Sequence, residues 1–114
     1  MTKHFNALTE GEQERLSILL EELGEAQQCI GKILRHGYES YNPVVDTGMT
    51  NRRELERELG DIYAAIQMLI DKRDVNEIGI KWRMGEKQKS IKQWLHHQTS
   101  PAIDYSDMYM GHKF

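Results

Sequence analysis

The apolar pattern across residues 10–35 most constrains what this chain can become. On a helix each residue advances about 100°. With Leu16 at zero, Leu20, Leu23, Ile30 and Leu34 fall within about 40° of it and form one apolar stripe. Ile18, Cys29 and Ile33 form a second strip on the opposite side, and Glu22 lies among them near about −120°. A helix that is apolar on two sides is packed on two sides. Glu22 is therefore expected to be buried, where an ionised carboxylate is costly unless something positive holds it. Glu25 sits beside the same strip, and Glu21 lies further round, toward Ser17 and Lys32.

The stretch Glu58-Leu59-Gly60-Asp61 repeats the arrangement. With Leu55 at zero, Leu59, Ile62 and Ile66 make the stripe, and Glu58 and Asp61 fall about 60° and 120° to one side, next to small Ala65. A solvated face is the commoner reason for glutamates on a helix. Two separate clusters that break the same apolar pattern argue for a shared role instead. Carboxylate pairs at i, i+3 on two helices, Glu22 with Glu25 and Glu58 with Asp61, are placed to converge on a hard divalent cation, which prefers oxygen ligands. A di-iron site would need a histidine three residues after a glutamate; here Gln28 follows Glu25 and Ala64 follows Asp61.

Composition narrows the class. The chain has 114 residues, enough for one domain with a modest core. Leu, Ile, Glu, Lys, Arg and Gln favour helix over sheet. A net charge of −3 gives no case for binding a nucleic-acid polymer. The single cysteine, Cys29, fits a reducing compartment and a small core position. No apolar run approaches the length of a signal segment or a membrane span, so a cytoplasmic protein without membrane association is expected.

In chain order, Thr9 and Glu12 match a capping box with Leu8 as staple, which predicts a first helix from Glu10 to about Arg35, stopped by Gly37. Residues 37–50 form the longest irregular segment, and such a connection in a small domain is functional or disordered. Its Tyr38, Tyr41 and Asn42 offer stacking and amide hydrogen bonds to a base. Asn51, with Glu54 three residues on, is expected to cap a second helix to about Lys72. A break at Asp74–Asn76 precedes a third helix, from Glu77 to about His97. On that helix Arg83 and Lys87 share a side with Trp94, Ile91 and Ile80, whereas Lys81, Lys89 and Lys92 point elsewhere. Arg83 and Lys87 are thus the expected phosphate-binding cations. Residues 99–114 carry aromatic and methionine residues without period, which suggests an irregular arm docking on a partner subunit. The expected fold is all-α: three long helices per chain, bundled by homo-oligomerisation. Residues 1–98 form the domain and 99–114 the tail.

Carboxylates on two helices and a cationic third helix describe a metal–phosphate site, in which carboxylates hold Mg²⁺ and Lys or Arg neutralises phosphate charge. The segments EELGE at Glu21–Glu25 and ELGD at Glu58–Asp61 resemble the EExxE…ExxD signature of the MazG-like, all-α nucleoside triphosphate pyrophosphohydrolases. RHGYESYNP, TNRRELERELGD and WLHHQ look like its small bacterial and phage members, and the likeness covers roughly residues 14–98. The chain departs from the pattern in the long spacing between the two halves, filled by residues 37–50. The resemblance implies hydrolysis of a nucleoside triphosphate between the α and β phosphates, to monophosphate and pyrophosphate. It implies Mg²⁺, with Mn²⁺ as substitute, held by Glu22, Glu25, Glu58 and Asp61, and a homodimer or homotetramer. Glu21, beside the ligand arc, is the candidate for positioning or deprotonating the attacking water. Two alternatives stay open: an enzyme like phosphoribosyl-ATP pyrophosphohydrolase, and a non-catalytic helical dimer that binds a nucleotide or serves as a scaffold.

Overall fold

The computed structural model describes residues 5–41, 44 and 48–98, and all regular structure among them is helical. Three α-helices, α1 (Glu10–His36), α2 (Asn51–Asp71) and α3 (Glu77–Ser90), are followed by a 3₁₀ turn at Ile91–Trp94. The all-α expectation is met. Residues 99–114, the expected arm, and Asn42 lie outside the described residues. The chain divides into two compact units, Met1–Glu77 and Ile78–Phe114.

In the first unit the ends of α1 follow from local chemistry. The Glu12 amide donates to Thr9 Oγ1 at 3.1 Å, and the Thr9 amide donates to Glu12 Oε1 at 2.8 Å, so the capping box is closed in both directions. At the other end Gly37 takes φ 87°, a conformation that favours glycine, and its amide donates to Ile33 O.

The start of α2 differs from the expectation. Thr50, not Asn51, is the N-cap, and its Oγ1 accepts from the Arg53 amide. Asn51 is instead a buried residue of the first turn whose side-chain amide donates to Gly37 O at 3.1 Å. The loop competes for it. The Asn51 and Arg52 amides donate to Ser40 O and Tyr38 O, both at 2.8 Å, so residues 38–40 satisfy donors that a helix start leaves open. The end of α2 is closed by Arg73, in the left-handed region at φ 63°, with the Asp74 amide donating to Leu69 O.

Helices α1 and α2 run antiparallel, as their cross-links show. Arg15 near the start of α1 meets Asp74 just past the end of α2, whereas Cys29 and Lys32 meet Asn51 and Glu54 at its beginning. Arg15 grips Asp74 through two hydrogen bonds, Nε to Oδ2 at 2.6 Å and Nη2 to Oδ1 at 3.0 Å. That ion pair holds the Asp74 carboxyl below its ordinary range. The core between the helices is thin. Its buried apolar residues are Ala26, Cys29, Ala65 and Leu69, of which only Leu69 is large.

The two-sided packing expected of α1 is therefore only half present among the described residues of the first unit. The strip containing Cys29 faces α2, while Leu16, Leu20, Leu23, Ile30 and Leu34 stay exposed, Leu20 and Leu34 by 73% and 82%. In the second unit, α3 carries no buried residue and stops at Ser90, short of the expected His97. The Ser90 hydroxyl donates back to Lys87 O, and the chain tightens into the 3₁₀ turn, a common way for a helix to end.

Candidate metal centre

Glu22 and Glu25 lie one turn apart on the α2-facing side of α1, and Glu58 and Asp61 one turn apart on α2. The antiparallel pairing brings the two pairs level. One carboxylate oxygen from each of Glu22, Glu25, Glu58 and Asp61 lies within 4.8 Å of the others. The four residues singled out by the apolar pattern thus form one cluster, with small Ala65 buried one turn past Asp61.

The cluster is electrostatically unbalanced. Glu22, Glu25 and Glu58 are half-buried. Burial pushes the Glu22 carboxyl above its ordinary range, and Glu25, Asp61, Glu58 and Glu21 push it further. The Glu58 carboxyl is raised by burial and by a hydrogen bond with Glu25, then by the charges of Glu25 and Asp61, while Arg57 pulls the other way. A hydrogen bond between two carboxyl groups requires a proton on one of them. Glu22 Oε2 and Glu58 Oε2 are enclosed with no hydrogen-bond partner. Among the described residues no ion pair reaches the four: Arg15 serves Asp74, Lys32 serves Glu54 and Arg52 serves Glu39. Enclosed, unpartnered oxygens among like charges are what a hard cation would satisfy, and the all-oxygen donor set suits Mg²⁺ or Mn²⁺.

The other expected site residues fall as follows. Glu21 is exposed and outside the group of four, although its charge reaches Glu22. Arg83 and Lys87 are exposed on α3, in the second unit. Tyr38 and Tyr41 are exposed, and the Arg52 guanidinium lies over the Tyr38 ring, 4.2 Å from its centroid, while pairing with Glu39. One face of that ring is thereby occupied by a cation. Sequence reasoning missed Arg52, because nothing local says that residue 52 will meet residue 38. Gly24 and Gly31, about 20° apart on the helical wheel, suggest from the sequence close helix approach or room for a ligand, and they line a groove along α1 with Gln27, Gln28, Lys32 and Arg35.

No protein-family model, curated protein or solved structure matches the chain significantly.

Proposed function

We propose that this chain is a Mg²⁺-dependent nucleoside triphosphate pyrophosphohydrolase, releasing nucleoside monophosphate and pyrophosphate. The observation that carries the reading is the convergence of Glu22, Glu25, Glu58 and Asp61 with two enclosed oxygens unpartnered. The likeness of EELGE and ELGD to the MazG-like signature supports it from the sequence side. When bound there, Mg²⁺ would supply charge neutralisation at the phosphates and a more acidic water.

The chain's own residues do the rest. Glu22, Glu25, Glu58 and Asp61 would hold the cation, which would relieve the repulsion among them. Glu21, exposed beside Glu22, is the group placed to take a proton from a water attacking the α-phosphorus; the α–β anhydride bond breaks as the new P–O bond forms. The departing pyrophosphate needs a cation to offset its charge, and Arg83 and Lys87 are the cations that the sequence offers for it. Tyr41 and the ring face of Tyr38 opposite Arg52 are the aromatic surfaces on which a base would stack.

The thin core supports a homo-oligomer. Among the described residues of the first unit Leu69 is the only large buried apolar side chain, and so thin a core hides too little surface for ordinary stability without a partner. Among the described residues no helix is long and apolar enough to cross a membrane.

Incubation with each common nucleoside triphosphate and Mg²⁺, with pyrophosphate and monophosphate quantified, tests the reading. Equimolar release of both that stops on chelation is expected. A metal-dependent rise in melting temperature without any pyrophosphate would leave a cation site and sink the hydrolase.

A further inference from the structure

The face of α1 that turns away from α2 is built to meet a copy of itself. Leu16, Leu20, Leu23, Gln27, Ile30 and Leu34 follow alternating steps of four and three residues, the spacing of a coiled-coil seam, and all six are exposed. Beside the seam, Ser17, Gly24 and Gly31 recur every seventh residue. A methyl group built on Gly24 would meet nothing within 4 Å, and one on Gly31 only the Arg35 guanidinium, at 3.7 Å. Packing inside the chain therefore gives no reason for either glycine, although glycine weakens a helix relative to alanine. Small residues at heptad spacing beside a leucine seam permit close approach of a second helix.

The register is readable from symmetry. The seam is symmetric about residue 25: Leu16 mirrors Leu34, Leu20 mirrors Ile30, and Leu23 mirrors Gln27. The small residues are symmetric about Gly24. A two-fold axis crossing α1 at residues 24–25 thus matches large with large and small with small, as an isologous contact requires. Charge selects the direction. Residues 10–25 hold six glutamates against Arg15 alone, while residues 26–36 hold Lys32 and Arg35 and no acidic residue. Parallel pairing would lay the acidic halves side by side; antiparallel pairing lays each against the cationic half of its mate.

We infer that two copies of this chain associate through α1 in an antiparallel pair, with the two-fold axis at Gly24–Glu25. This rests on the homo-oligomer reading above and not on the chemistry of the carboxylates. It adds that the turn carrying Glu22 and Glu25 is braced from behind by the partner's equivalent turn.

Light scattering on the full chain should give twice its 13.4 kDa mass. Cross-linking then reads the register. Leu16→Cys and Leu34→Cys chains, distinguished by a tag, are mixed and mildly oxidised, with buried Cys29 left in place and the unaltered chain as control. The expected product joins unlike chains, at least about tenfold over either self-product. Self-products from each variant alone would mean parallel pairing and overturn the inference. A dimer that yields no cross-link would place the interface elsewhere and overturn it, leaving the homo-oligomer reading intact. A monomer would overturn both. Gly24→Leu should halve the mass while helical circular dichroism is kept; a variant that stays dimeric would also defeat the inference.

Discussion

Withholding and restoring Mg²⁺ while the pH is varied tests the carboxylate cluster most directly. Without metal, Glu22 and Glu58 have folded-state pKa values raised above the ordinary 4.5. A raised carboxyl binds protons more tightly in the folded state, so its favourable contribution is complete below about pH 4.5 and is lost as pH rises through the folded value. In a chelator, then, melting temperature should fall as pH climbs from about 4.5 through the raised values. The Arg15-bound Asp74 carboxyl acts in the opposite sense and in a separate window, below its ordinary 3.8. Mg²⁺ competes with protons for the raised Glu22 and Glu58 carboxyls, so its apparent Kd should weaken as pH falls through their titration, about tenfold per pH unit for each proton displaced. At neutral pH, tenfold excess over Kd adds about 1.4 kcal/mol, or roughly 6–10 °C for a domain of this size. Differential scanning fluorimetry from pH 4.5 to 8, with chelator and with millimolar Mg²⁺ or Mn²⁺, reads both effects. The chain carrying both Glu22→Gln and Glu58→Gln should lose the slope and the metal shift together. A metal shift equal at pH 5 and pH 8, or one retained in that double variant, would show that the four carboxylates do not share a cation.

Further expectations concern single side chains. Glu22→Gln and Asp61→Asn should each abolish pyrophosphate release while far-ultraviolet circular dichroism is unchanged; activity in either would move the site off this cluster. Lys87→Ala should lower kcat/KM about ten- to two-hundredfold, the equivalent of one charged hydrogen bond to phosphate at about 1.5–3 kcal/mol. Lys89→Ala should be near neutral, since Lys89 only pairs with exposed Glu86 at 3.7 Å; equal losses would mean that the phosphates meet another side of α3. Leu69→Ala should cost about 2–5 kcal/mol in chemical denaturation, and a smaller loss would mean that the α1–α2 contact is not the main core. Asn51→Ala leaves Gly37 O without its partner and should cost about 1–3 kcal/mol by the same measurement.

Short-range chemistry made much of this protein legible in one dimension. The Thr9–Glu12 box, the Gly37 stop and the wheel positions of Glu22, Glu25, Glu58 and Asp61 depend on residues within a few turns of one another, and the structure keeps each of them. Carboxylates that interrupt an apolar strip announce a site because burying them needs a reason that the strip does not supply. What required the tertiary structure depended on the loop and on the other helix. Thr50 displaces Asn51 as cap only because residues 37–40 fold back and bond the first turn of α2. Arg52 reaches Glu39, and Arg15 reaches Asp74, across 13 and 59 residues of sequence separation that no local pattern spans. The stripe of Leu16, Leu20, Leu23, Ile30 and Leu34 on α1 was legible as a surface to be covered, yet its sequence alone did not say that it would stay exposed among the described residues. A helical wheel fixes which side chains share a face, whereas the exposure of that face is set by what packs there.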